Sequence, residues 1–480
     1  MRTLVMKFGG TSVGNAEAHA QAAEIIRQQA QHWDHLVVVV SAMRGVTDAL
    51  IKGAKSAAAG DGQTYHTLVA DLRVRHYRAI DALLDPETST STATPEERTK
   101  LLAIVDKDLD EFATFCRSIH VLGEVTPRAM DTISSLGERI NARILAAHLR
   151  QQGIASEAID ATELIVTDST FQNAAPLMGP TGEKVTQNLL PLLEEGIIPI
   201  VTGFIGATED GITTTLGRGG SDYSAAILGD ALDAEEVWTW TDVDGVMTAD
   251  PRTVPDAQVI PELSSGEVAE LAYFGAKVLH PQTIRPVIER GIPLWVKNTF
   301  NPSVPGTCIV KNSTDDIGRV KAITAIKGLS MVTVEGRGMI GVPGIAARTF
   351  AAVASQGASV LMISQASSEQ SICFIIPQEA VGAVTTAIEK EMALELARGD
   401  IDRVWSLNDI VIVTAVGAGM RGTPGIASQI FHALGESNIN VIAIAQGSSE
   451  CSVSLAVEGE NATEAVRQIH KEVIIHGSQS

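Results

Sequence analysis

Cysteine is scarce: the 480 residues contain four, Cys116, Cys308, Cys373 and Cys451, and no two form a C-x-x-C pair. Such spacing supports neither a zinc site nor a disulfide framework, and buried free thiols are the expectation. Aromatic residues reach only 4%, and no apolar run approaches the roughly 20 residues that a membrane-crossing helix requires. The longest runs, such as Leu36 to Val40 and Ile197 to Val201, have the length of strands, so no membrane span is expected. Met1 to Met6 meets Lys7 and Gly9-Gly10 before a signal-peptide apolar region can develop, which points to a cytoplasmic location. Positive charge is also in short supply: 36 Lys and Arg stand against 57 Asp and Glu, a net charge of −21, with no extended basic cluster. Neither nucleic acid nor an anionic membrane surface is therefore an expected partner.

What is plentiful is glycine, at 42 residues, in a chain that is 45% hydrophobic. This is the composition of a globular α/β protein, and the length implies two or three domains. Over the first 300 residues, short β-branched runs alternate with helical patterns: Thr3 to Lys7, Glu17 to Gln31, Leu36 to Ser41, then Asp48 onward. The alternation predicts βαβ units around a mainly parallel sheet. A polar stretch from Asp85 to Thr94 reads as a loop, with Thr94, Pro95 and Glu97 forming a capping box for the next helix. A further helix is expected from about Pro127 to Gly153, and another from near Ser221.

Beyond Asn301-Pro302 an internal repeat appears at an offset of 81 residues. Gly336, Gly338, Met339, Gly341, Pro343, Gly344, Ile345, Ala346 and Phe350 recur as Gly417, Gly419, Met420, Gly422, Pro424, Gly425, Ile426, Ala427 and Phe431. Gln365 and Glu369 recur as Gln446 and Glu450. Each copy reads strand, Gly-rich turn, helix, strand, turn, strand, which makes a small α+β module.

Several clusters could carry chemistry. Lys7-Phe8-Gly9-Gly10-Thr11-Ser12 ends the first strand with a lysine and two positions free of side chains, either a phosphate-binding turn or a tight turn with a solvated lysine. Gly217-Arg218-Gly219-Gly220-Ser221-Asp222 lets backbone N–H groups approach an anion and offers Arg218 for a bidentate grip on a carboxylate or phosphate; Asp222 reads as a helix cap or a catalytic group. Glu138 falls on an apolar helical stripe with Ala142, Leu145 and Leu149, so it wants a partner: an internal salt bridge first, a ligand's ammonium otherwise. Val237 to Thr241 is a strand entering Asp242-Val243-Asp244-Gly245. Its twelfth position is Thr253, not Glu, which rejects an EF-hand. No tight carboxylate cluster marks a permanent metal site.

Taken together, Lys7 to Ser12, Gly217 to Asp222, Thr241 to Gly245, Asp250-Pro251-Arg252 and Phe274 to Pro281 resemble aspartate kinases of the amino-acid kinase superfamily. The duplicated tail is similar to paired ACT regulatory domains. The resemblance implies a carbamate kinase-like three-layer α/β/α sandwich over 1–305, with an aspartate-side lobe to about 200 and an ATP-side lobe to 305. A linker over 306–328 and ACT domains at 329–395 and 408–475 complete this division. It also implies ATP-dependent phosphorylation of L-aspartate, the first step toward lysine, threonine and methionine, with Mg2+ carried by ATP. Lys7, Gly9 and Gly10 would serve the phosphates; Ser41, Thr47, Glu138, Phe204, Arg218, Gly219, Gly220, Ser221 and Asp222 would hold or orient aspartate. Thr241, Asp242, Met247, Arg252, Lys277 and Val278 would meet the nucleotide, with Met247 where some relatives carry tyrosine.

In the tail, Met339, Gly341, Gly344, Ile345, Gln365 and Gln446 would meet a feedback amino acid, threonine rather than lysine, and pairing of ACT edges would give a homo-oligomer. The tail resembles the regulatory region of bifunctional aspartokinase/homoserine dehydrogenases; because the sequence stops soon after it, the expectation is a monofunctional kinase. The rivals are another small-molecule kinase of the superfamily, opposed by Glu138 and the ACT pair, and a non-catalytic amino-acid sensor, opposed by Lys7, Arg218 and Asp222. A dehydrogenase is opposed by the missing third glycine of the dinucleotide fingerprint.

Overall fold

Thr3–Phe8 is buried along its whole length because it is the strand most enclosed by the main sheet, hydrogen-bonded on both sides by the parallel strands His35–Val40 and Glu236–Thr241. A strand covered on both faces needs no polar alternation, which explains the run of apolar residues in Leu4, Val5 and Met6. The computed structural model describes residues 1–84, 95–276, 279–313, 318–339, 342–365, 370–446 and 451–476. The expected loop at 85–94, and Thr94 of the capping box, lie outside them; the helix that follows begins at Pro95.

The chain divides into two units. The first comprises Met1–Val246, Pro261–Ser265 and Leu279–Lys311. Its eight-stranded sheet runs in the order Ser156–Ile159, Ile198–Thr202, His35–Val40, Thr3–Phe8, Glu236–Thr241, Leu294–Asn298, Thr307–Val310, Glu262–Ser264. Every pairing is parallel except that of Leu294–Asn298 with Thr307–Val310. On one face, Ala22 and Ile26 of helix Ala16–Gln29 and Leu145 and Leu149 of helix Leu136–Gln151 pack with Leu4, Met6, Phe8 and Val38. Helix Gly220–Ala231 approaches Val237 so closely that a Cβ on Gly229 would stand 2.6 Å from its side chain.

The helix expected from Pro127 to Gly153 is two, Pro127–Ser134 and Leu136–Gln151. Ser134 Oγ donates to the Asp131 carbonyl and Ser135 Oγ to that of Thr132. Such local bonds compete with the helical ladder at the point where it breaks.

The second unit comprises Met247–Ile260, Gly266–Val278 and Asn312–Ser480. Its antiparallel sheet has the order Met362–Gln365, Ser371–Pro377, Ala322–Glu335, Arg403–Val416, Ser452–Glu458, Ala443–Ala445. The two copies of the repeat are thus joined through their first strands, and their second strands, Met362–Gln365 and Ala443–Ala445, form the two ends of the order. Segments from the middle of the chain complete this unit. Ala249 and Val254 lie in its apolar core with Val411, Val413 and Leu455. Glu267, fully buried, accepts a hydrogen bond from Ala418 N–H at 2.8 Å and faces Lys321 Nζ at 3.4 Å.

Removing one member of a buried ion pair costs about 3–5 kcal/mol, because a desolvated charge remains. Lys321→Met should therefore lower the unfolding free energy measured in urea by about that amount, and adding Glu267→Met should recover part of the loss. A single-variant change under about 1 kcal/mol would show that the pair does not hold this corner together.

Candidate functional site

Because parallel strands end on the same side, the turns after Thr3–Phe8, His35–Val40 and Ile198–Thr202 converge at one rim. There a cavity of about 900 Å³ is lined by Lys7, Gly10, Ser41, Thr47, Glu138, Phe204 and the whole Gly217 to Asp222 segment. The structure therefore brings together the residues expected to hold aspartate with two of the three expected at the phosphates. Gly9 adjoins them, but its N–H is bonded to the Trp240 carbonyl at 3.0 Å. Ser12 Oγ donates to that same carbonyl at 3.2 Å and accepts from Thr299 Oγ1 at 2.7 Å, pinning the far end of the turn. Gly10 is closely approached: a Cβ would lie 3.0 Å from the Ala42 carbonyl oxygen.

Lys7 is buried and pairs with Asp222 at 2.7 Å. The lysine is therefore not the solvated residue of a plain turn. Asp222 is not the cap of helix Gly220–Ala231 either; that position belongs to Gly219, in the left-handed conformation at φ +73°. The backbone can turn so tightly because Gly217 is left-handed too, and because Gly220 faces Phe204 at a distance where a Cβ would meet the ring at 2.7 Å. Phe204 itself has φ +72°, a conformation uncommon for a bulky residue, held by its N–H bond to Ser224 Oγ at 3.0 Å. Arg218 is exposed, and its guanidinium makes no ion pair among the described residues.

Glu138 departs from the expectation of an internal salt bridge. Its Oε1 accepts from Ala42 N–H at 3.2 Å, its Oε2 has no protein partner, and no cation is paired with it among the described residues. Burial pushes its carboxyl up to about 8, only partly offset by the Ala42 N–H. Gly137 does permit a close approach, but by Ala42, whose Cβ would be 2.7 Å from a Cβ there.

Asp131, which the sequence reading missed, lies in the same wall, 1% exposed. The only signal was its position seven residues before Glu138, two turns along what reads as one helix.

The expected nucleotide residues are divided. Thr241 ends strand Glu236–Thr241 of the first unit and Asp242 follows it, with Thr241 Oγ1 donating to Asp242 at 3.2 Å. Met247, bridged to Val259, and Arg252, paired with Asp250 at 2.6 Å, belong to the second unit. Lys277 and Val278 lie outside the described residues. In the tail, Met339 and Ile345 bury their side chains in the core of the first repeat copy, Gly344 caps helix Ile345–Ser355 at φ +93°, and Gly341 lies outside the described residues. Gln365 and Gln446 are exposed.

The sequence matches the amino acid kinase family over residues 2–298 and the ACT domain over 332–392 and 413–473. The bifunctional aspartokinase/homoserine dehydrogenase 1 of Arabidopsis thaliana chloroplasts is 38% identical over 97% of this chain and 50% of its own. Aspartokinase 1 of A. thaliana chloroplasts is 32% identical over 100% of this chain and 81% of its own. Among solved structures, the aspartate kinase of Clostridium acetobutylicum superposes with a TM-score of 0.82 at 26% identity, covering 98% of this chain and 100% of that one. E. coli aspartokinase III in complex with lysine and aspartate gives 0.77 at 28% identity, covering 98% and 99%. The chain spans about half the length of the bifunctional curated relatives that it matches. It belongs to the amino acid kinase family and carries two ACT domains.

The raised carboxyl of Glu138 has a signed consequence for the free protein. A folded-state value near 8 against an ordinary 4.5 means that the folded form holds the proton longer. Its contribution to stability is fully present below about 4.5 and is lost as pH rises through 8. Denaturation midpoints measured across this range should fall more steeply for the wild type than for Glu138→Gln; equal slopes would place the titration elsewhere.

Proposed function

We propose that this chain is an aspartate kinase, transferring the γ-phosphoryl group of ATP to the β-carboxylate of L-aspartate to give ADP and 4-phospho-L-aspartate, on the route to lysine, threonine and methionine. The observation that carries the reading is the presence, in one cavity, of a guanidinium with no ion pair among the described residues and a buried carboxylate whose second oxygen has no protein partner. An α-amino acid presents the complementary charges. Arg218 grips the α-carboxylate through two parallel N–H bonds, and Glu138 Oε2 receives the ammonium. The incoming cation draws the Glu138 proton off, since an opposite charge favours the ionised form.

The β-carboxylate is already ionised at neutral pH, so no general base is needed. What the transfer requires is cancellation of charge between two anions and in-line placement. Lys7 faces the transferring group, held in place by Asp222; Ser41, Thr47, Phe204 and Ser221 shape the wall that orients the substrate. Mg2+, carried by the ATP phosphates, would supply charge neutralisation there. Among the described residues no group of three or more His, Cys, Asp or Glu could hold a metal ion. Thr241, Asp242, Met247, Arg252, Lys277 and Val278 are assigned to the nucleotide.

The ACT domains are read as a feedback site and as the means of homo-oligomer formation. The outer strands Met362–Gln365 and Ala443–Ala445 expose Ile363 and Ile444, equivalent positions of the two copies, and exposed apolar residues on outer strands suit pairing between chains. Gln365 ends one of these strands and Gln446 directly follows the other. A neutral amide bonds a hydroxyl readily, whereas an ammonium seeks a carboxylate, which favours threonine over lysine as effector.

ADP release, with the acyl phosphate trapped as a hydroxamate, tests the activity across candidate acceptors. Aspartate should be the acceptor, and Lys7→Ala should lower kcat at least about 100-fold, on the order of 3 kcal/mol of transition-state stabilisation; near-normal kcat in a folded variant removes Lys7 from the phosphoryl site. Inhibition assays with threonine, lysine and methionine test the tail. Threonine should inhibit the wild type, and Gln365→Ala should weaken that inhibition; inhibition by lysine alone overturns the reading of the glutamines.

A further inference from the structure

Two buried carboxylates stand in the cavity wall on consecutive helices, and they are in opposite states. Glu138 has an oxygen to spare; Asp131 has none. Asp131 Oδ1 accepts from Thr215 Oγ1 at 2.8 Å and Gln172 N–H at 3.1 Å, while Oδ2 accepts from Gln172 N–H at 2.9 Å and Thr215 N–H at 3.0 Å. Burial raises the Asp131 carboxyl, and these donors pull it back. A carboxylate so saturated is poorly placed to bind substrate.

What it holds is the cradle of Arg218. Gln172 has φ +70°, a left-handed conformation that costs a non-glycine residue on the order of 1 kcal/mol unless its surroundings fix it. The next residue, Asn173, reaches Gly217, where a Cβ would lie 2.5 Å from Asn173 Oδ1. Thr215 accepts from Ala174 N–H at 2.9 Å, and Leu216 N–H donates to the Phe204 carbonyl at 2.9 Å. Asp131 thus ties together the two strands of chain, 172–174 and 213–216, from which Gly217 and Arg218 emerge.

We propose that Asp131 is a positioning residue that sets the Arg218 guanidinium for the substrate carboxylate. The role rests on the reading of Arg218 given above. Asp131→Asn places an amide N–H group among donors and should release the segment.

Steady-state kinetics then separate positioning from general damage: KM for aspartate should rise at least tenfold, with KM for ATP within twofold of wild type. Gln172→Gly, in the Asp131→Asn background, should recover part of the loss, because glycine adopts the left-handed conformation unaided. Should Asp131→Asn not fold, Thr215→Val removes the single side-chain bond and should raise the aspartate KM about threefold. Equal rises in both KM values, or an unmoved aspartate KM in a folded variant, overturn the proposal.

Amide hydrogen exchange in Thr215→Val gives a readout independent of substrate. Faster exchange at Leu216 to Gly220 with unchanged exchange at Gly9 to Ser12 is expected, and no change at Leu216 to Gly220 overturns the positioning role even if aspartate proves not to be the acceptor. Absence of aspartate turnover by wild type alongside the expected exchange pattern would instead overturn the substrate reading.

Discussion

Parallel pairing of Thr3–Phe8 with both of its neighbours is the constraint on which the site depends. A parallel ladder delivers the carboxyl ends of all its strands to one rim, and helices must then return the chain to the other. Lys7 emerges at that rim from a strand buried on both faces, so its ammonium cannot wander, and Asp222 of a different helix meets it. Had His35–Val40 or Glu236–Thr241 run antiparallel to it, Ser41 or Thr241 would be at the opposite end of the sheet. The geometry of the cavity is therefore inherited from backbone hydrogen bonds made far below it.

Within that frame the cavity wall combines paired charges with unpaired ones. Lys7 and Asp222 form an ion pair; Asp131 is saturated by uncharged donors; Arg218 and Glu138 have no counter-charge among the described residues. In the proposed reading, a zwitterion would supply both at once. Burial raises the Glu138 carboxyl to about 8 and so favours its neutral form; in the proposed reading, an ammonium placed against Oε2 would favour the ionised form instead.

Which features were legible in the sequence follows from how far each interaction reaches. Lys7-Phe8-Gly9-Gly10 and Gly217 to Asp222 are local turns whose glycines announce themselves, and the 81-residue repeat needs only self-comparison. Asp131 was invisible, because its donors lie 41 and 84 residues away in the chain. Gln172 and Phe204 were equally hidden as backbone outliers, since a left-handed conformation is anticipated for glycine and not for glutamine or phenylalanine. The salt bridge expected for Glu138 failed for a related reason: an apolar stripe reveals that a carboxylate is buried but not what stands opposite it. The break at Ser135 was missed because serine is tolerated within helices.

The interleaving of the two units limits how the molecule can be divided. The backbone passes from one to the other five times between Val246 and Asn312. A fragment beginning at Asn312 would lack Ala249 and Val254 from its apolar interior and the Glu267 carboxylate that receives Ala418 N–H. During synthesis, 247–260 and 266–278 emerge well before the strands they pack against, and must wait for Arg403–Val416 and Ser452–Glu458. The second unit is thus built from three separated segments of the chain, and no single cut yields two intact pieces.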